Sequence, residues 1–210
     1  MNFLAHSLLG FNDPALITGQ FCGDFVRGSD LSHLPEGVER GIRLHRYLDR
    51  FTDTHVALTP VRQQIPDVPR RFAGIVVDVM FDHYLAHRWD EISQLSLDQH
   101  AQLVIAALDG HETHCPAPLR RFTRLLQSEN ILQNNIHLSS IEQTLSRIAR
   151  RSSRFDALAL TTAQLEPLRD MLNHPFTVFY PDLHQAAKDY VIRSSQHRHS
   201  RDAIHGANNE

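Results

Sequence analysis

Histidine and aspartate recur at helical spacing through the first half of this chain. His45 and Asp49 are four residues apart, as are Asp49 and Asp53, and Asp78 and Asp82, with His83 next to the last. Residues four apart share one face of a helix. Two helices can therefore each turn a His/Asp or Asp/Asp pair toward a common pocket, and His6 and Asp24 are placed to complete the set from earlier segments. The Asp78 pair is the most telling, because it lies among Ala73-Gly74-Ile75-Val76-Val77 and Val79-Met80-Phe81. A buried carboxylate is costly unless it is paired or bound to a metal. The two carboxylates thus need a cation, either a metal ion or Arg and His side chains. Arg46, Arg50, Arg70 and Arg71 are available for a purely structural network of the second kind.

There is no Cys-x-x-Cys and no His-Glu-x-x-His, which argues against a zinc finger or a zincin. Mixed imidazole and carboxylate donors suit Mn²⁺, Mg²⁺ or Fe²⁺ better than a structural zinc. Such ions activate water and neutralise charge on a phosphoryl group. Arg27 and Arg46 lie close by in sequence, and a guanidinium fork fits phosphate oxygens. The local chemistry points to metal-assisted phosphoester hydrolysis. Cys22, just before Gly23-Asp24, reads as a small buried thiol rather than a nucleophile. No Gly-x-Ser-x-Gly and no phosphate-binding glycine loop is present.

The elements that must position these groups are helices. The chain has 210 residues, 41% hydrophobic and 21% charged, with net charge -3. That suffices for one domain with a true core and argues against disorder. No apolar run approaches the ~18 residues of a membrane span, and no secretory signal is visible at Met1-Asn2-Phe3. With two cysteines and no disulfide framework, a reducing cytoplasm is the expected setting.

Apolar spacing predicts helices over 2–11, 14–26, 35–52, 70–92, 97–108, 119–127, 139–151 and 165–191, the last cut by Pro175 and Pro181. Ser139-Ser140-Ile141-Glu142 resembles a capping box. The helix over 70–92 is apolar almost all round and should be central. The prediction is a single all-α domain over 1–193. A polar, disordered tail over 194–210 follows, in which His197, His199 and His205 do no chemistry. Lys188 is the only lysine, and the second half carries Arg120, Arg121, Arg124, Arg147, Arg150, Arg151 and Arg154. These read as a solvated face or a patch for an acidic protein partner. They do not read as a nucleic-acid surface, since no aromatics interleave them and the net charge is negative.

Several motifs taken together resemble one family. They are Met1-Asn2-Phe3-Leu4-Ala5-His6, Gly23-Asp24-Phe25-Val26-Arg27-Gly28, Gly41-Ile42-Arg43-Leu44-His45-Arg46-Tyr47-Leu48-Asp49, Phe51-Thr52-Asp53 and Asp78-Val79-Met80-Phe81-Asp82-His83-Tyr84-Leu85. In order and spacing they resemble the acyl carrier protein phosphodiesterases. The resemblance implies an all-helical relative of the HD-domain phosphohydrolases, although the pair that names that group stands here reversed, as Asp82-His83.

The resemblance further implies hydrolysis of the phosphodiester joining 4'-phosphopantetheine to a serine of holo-acyl carrier protein, an acidic protein substrate. No nucleic-acid or membrane partner is expected. It implies a divalent ion, Mn²⁺ first with Mg²⁺ or Fe²⁺ as alternatives, held by some of His6, Asp24, His45, Asp78 and Asp82. Asp49 is then a further ligand or orients His45. Arg27 and Arg46 steady phosphoryl oxygens, and His83 protonates the departing serine oxygen. Two other readings remain at this level: a helical phosphohydrolase acting on a nucleotide, and a non-enzymatic helical protein whose His/Asp pairs only tie helices together.

Overall fold

The computed structural model describes residues 2–206, with side chains through 196. Among these residues there are ten α-helices, three short 3-10 segments and no strand. In chain order the helices are α1 (Phe3–Leu8), α2 (Pro14–Cys22), α3 (Glu36–Thr54), α4 (Arg70–His87) and α5 (Trp89–Ile92), then α6 (Leu97–Gly110), α7 (Ala117–Ser128), α8 (Ile131–Asn134), α9 (Leu138–Ala149) and α10 (Thr162–Gly206). The chain is all-α, as its periodicity predicts. No described helix is long and apolar enough to cross a membrane.

α4 is the central element. It buries Phe72, Ala73, Val76, Val77, Val79, Met80, Phe81 and Leu85, and packs against α1, α9 and α10. Apolar side chains on nearly every side leave such a helix no stable place but the interior. α2 and α3 cross at backbone contact. A Cβ on Gly19 would stand 2.2 Å from the Val38 carbonyl oxygen, and one on Gly41 would stand 2.4 Å from that of Leu16. Only glycine on both helices lets them approach this closely, and that approach brings the end of α2 up to the face of α3 that carries His45.

Several helix boundaries differ from those expected. α1 ends early because Phe11 and Asn12 take left-handed backbone conformations and make the turn. α2 ends at Cys22, four residues short of 26, and the chain turns through Asp24 instead. The segment over 70–92 is two helices, parted at Arg88. The capping box lies at Ser96 and Gln99, whereas α9 starts at Leu138 without a side-chain cap.

α10 is not cut at Pro175 and Pro181 but contains both, with Pro167 as well. Each proline removes a helical hydrogen bond. The loss is offset by a stripe on one face, where Leu165, Leu168, Leu172, Phe176, Phe179, Leu183 and Ala187 are all buried. The helix runs on through Gly206, past the boundary expected at 193, and Arg40 on α3 donates to Ser195 Oγ at 2.9 Å. Residues 207–210, and the side chains of His197, His199 and His205, lie outside the described residues.

The glycine crossing gives a first test. Gly41→Ala should lower unfolding stability in urea by about 1–3 kcal/mol through overpacking. Gly74→Ala, where the nearest atom is Arg62 Nε at 4.0 Å, should be neutral or stabilising by up to about 1 kcal/mol.

Candidate active site

Two helices and a turn bring four of the expected residues together. His6 comes from α1, His45 and Asp49 from α3, and Asp24 from the turn after α2. One donor atom each from His6, His45 and Asp49 lie within 4.8 Å of one another. His6 Nε2 is 3.3 Å from Asp49 Oδ1, and His45 Nε2 is 3.0 Å from Asp49 Oδ2 and 3.5 Å from Asp24 Oδ1. The two imidazoles stack, with ring centres 4.0 Å apart. The imidazole side of the cluster is inside and the carboxylate side is open. The side chains of His6 and His45 are 2% and 3% exposed, those of Asp49 and Asp24 38% and 51%. A ligand can reach the cluster from the carboxylate side.

The charges follow from this placement. Burial and the neighbouring His45 push the His6 imidazole down to about 4, so it is neutral near pH 7. Burial would lower His45 too, but Asp24 and Asp49 outweigh it and hold that imidazole at about 9. Asp49 is held far below the usual carboxylate range: burial alone would raise it, and the neighbouring His45 and His6 imidazoles outweigh that. Asp24 is lowered in the same way, with His45 opposing the effect of burial. One proton on His45 thus sits among two carboxylates where a divalent cation would be better matched.

Three further observations fit a metal. His6 Nδ1–H donates to Gln20 Oε1 at 2.9 Å, which directs the Nε2 lone pair into the cluster. That Nε2 is buried and makes no hydrogen bond. At Gly23 a Cβ would fall 2.2 Å from the His45 ring, so the ring occupies the space a side chain would fill. Gln20 is fully buried. Its role was missed in the sequence because a single glutamine in an apolar helix carries no spacing signal.

The remaining expected residues are placed differently. Asp82 does not face the cluster. Its Oδ2 accepts from Leu4 N–H at 2.8 Å and its Oδ1 from Ala5 N–H at 2.9 Å. These are orphan donors of the first turn of α1, so Asp82 pins the helix that carries His6. Burial pushes this carboxyl up to about 7 against the pull of the two N–H groups. Asp78 is also raised by burial, and lies near enough to Asp49 for that charge to add to the rise.

Arg46 is engaged with its own turn. Its NH2 donates to Val26 O at 2.8 Å and its NH1 to Gly28 O at 2.7 Å, on either side of Arg27. It therefore fixes the turn that carries Asp24 rather than reaching outward, while Arg27 is exposed. His83 is turned away from the cluster: its Nδ1–H donates to Asn135 O at 2.7 Å and its ring packs edge-on to His87. Its expected role as proton donor has no support in this position. Asp53 is exposed and pairs with Arg62 at 3.3 Å.

A helical frame carrying two histidines and two carboxylates in one cluster, open on the carboxylate side, is the kind of site that can hold a divalent cation. The family model described as "Acyl carrier protein phosphodiesterase" matches residues 1–183. Among similar proteins, that of Salmonella dublin is 35% identical over 185 residues, covering 86% of this chain and 94% of the relative. That of Yersinia pestis is 31% identical over 199 residues, covering 94% and 99%. Both are named acyl carrier protein phosphodiesterase. No solved structure matches the chain. The chain belongs to the acyl carrier protein phosphodiesterase family, a family of phosphodiester hydrolases.

Two predictions follow from the geometry. In metal-free protein, ¹H–¹⁵N imidazole spectra should show His45 titrating near pH 9 and His6 near pH 4, and Asp49→Asn should bring His45 down toward 6.5. The sign is set by the raised value: the His45 ion pairs stabilise the fold fully below pH 6.5, and that contribution is lost as pH rises through 9. Separately, Asp82→Ala leaves two buried N–H groups without an acceptor and should cost about 2–4 kcal/mol in urea unfolding.

Proposed function

We propose that this protein hydrolyses the phosphodiester between 4'-phosphopantetheine and a serine of holo-acyl carrier protein, releasing the apo-protein and the free prosthetic group. The observation that carries this reading is the open His6–His45–Asp49 cluster, within a chain of this family. We propose that His6, His45 and Asp49 hold a divalent cation, Mn²⁺ first, with Asp24 adjoining through His45. Bound there, the ion would polarise a phosphoryl oxygen and ease deprotonation of water.

The chain's own contribution is placement. Gln20 sets the His6 tautomer, Asp82 fixes the start of α1, and Arg46 holds the Asp24 turn. Arg27, exposed on that turn, is free to meet a phosphate oxygen or an acidic partner. Arg50, exposed on α3 next to Asp49, adds positive charge that suits an acidic carrier protein.

The test is incubation of the full chain with holo-acyl carrier protein and Mn²⁺, read by mass spectrometry. Loss of the prosthetic arm from the carrier is expected. Chelation should abolish release and added Mn²⁺ should restore it; a stripped enzyme with full activity would refute the metal reading. Asp49→Asn should reduce kcat/KM by at least about 100-fold while circular dichroism stays unchanged. KM should rise with salt while kcat holds, as charges on Arg27 and Arg50 are screened. Turnover of nucleotides in place of the carrier protein would move the protein to another substrate class.

A further inference from the structure

A second cleft, of about 560 Å³, lies between α4 and α10, lined by Met80, His83, Tyr84, Arg88, Asn173 and Phe176 among others. None of His6, Asp24, His45 and Asp49 lines it. Met80, His83, Tyr84 and His87 form one stripe along α4 at helical spacing. Asp82 stands about 100° further round the helix and is engaged with α1. The cleft is therefore on another flank of α4 from the one that holds α1. Its volume falls within the ~300–1,000 Å³ of small-molecule sites.

The chemistry of the cleft is specific at its floor. His83 is 2% exposed, yet its Nε2 makes no hydrogen bond among the described residues. Because Nδ1–H is donated to Asn135 O, the Nε2 of a neutral ring can only accept. Burial holds the ring neutral, down to about 4. A group that meets this Nε2 has to donate, as an amide N–H, a hydroxyl or a water does. Buried Met80 and Phe176 give an apolar wall beside it.

Guanidiniums stand at the mouth. Arg88 NH1 pairs with Glu91 at 3.1 Å, and its NH2 reaches Asn173 Oδ1 at 3.5 Å across to α10. Arg169 Nε pairs with Asp170 at 2.9 Å. Both ion pairs are substantially exposed and therefore weak. A doubly charged phosphate can compete for either guanidinium.

We propose that the α4–α10 cleft is a second binding site, for a slim molecule with amide or hydroxyl donors, an apolar body and an anionic end. Resting on the function proposed above, the molecule is the released 4'-phosphopantetheine, which has amides and hydroxyls, a dimethyl-bearing body and a terminal phosphate. The protein then holds its product away from the cluster that forms it.

The experiment is calorimetric titration of the metal-free full chain with 4'-phosphopantetheine, with pantetheine lacking the phosphate, and with inorganic phosphate. Saturable submillimolar binding of the first is expected, about tenfold weaker binding of the second, and none of the third. Asn173→Trp, at an exposed lip, should block binding and leave hydrolysis at low product unchanged. His83→Leu should weaken binding about tenfold, and His83→Gln, which restores an acceptor, should recover most of it. No binding at millimolar concentration overturns the proposal, as does binding indifferent to Asn173→Trp, which would locate the molecule elsewhere. Equal binding of inorganic phosphate also overturns it. Release of the arm from carrier protein without cleft binding leaves the proposed function standing and removes this site. Cleft binding without release does the reverse.

Discussion

The structure turns on the Asp49 carboxylate, which bridges the edges of two stacked imidazoles, one oxygen to each. Two histidines packed face to face would repel if both were charged, so the pair divides. The inner one is stripped of its proton by burial, and the outer keeps its own because Asp24 and Asp49 face it. That division requires three separate stretches of chain to meet within a few ångströms. The glycine contact of α2 with α3, the Asp82 hold on α1 and the Arg46 hold on the Asp24 turn each serve that meeting.

α4 shows how one buried helix can carry several polar tasks. Its carboxylates and its histidine are close in sequence but emerge on different flanks. Asp82 satisfies the start of α1, Asp78 lies near Asp49, and His83 opens onto α10. A sequence reading that treats Asp78, Asp82 and His83 as one constellation merges groups that the helical turn separates. The run of buried aliphatics that makes α4 central is also what makes each polar group on it expensive. Every one needs a specific partner, and the backbone N–H groups of Leu4 and Ala5 supply two of those bonds.

The all-helical architecture was legible because apolar spacing is a repeated signal, read many times over each helix. His6, Asp24, His45 and Asp49 were legible as site candidates because histidine and aspartate are rare in apolar surroundings and the motif spacing singled them out. Partner identity was not legible. Nothing in the residue types tells that Asp82 meets backbone N–H rather than an ion, that Arg46 turns inward to carbonyls, or that His83 meets Asn135 O. These are long-range pairings, decided by which helices pack together. The prolines of α10 misled for a related reason: local breaking strength was outweighed by a buried stripe that exists only once α3 and α4 are in place.

The bonds from Leu4 and Ala5 to Asp82 span nearly eighty positions of chain. In synthesis His6 comes more than seventy positions before the acceptor that seats its helix. Until α4 has been synthesised and has collapsed onto its neighbours, the first turn of α1 has only water for its amides. The helix that carries His6 is thus seated only once α4 stands beside it.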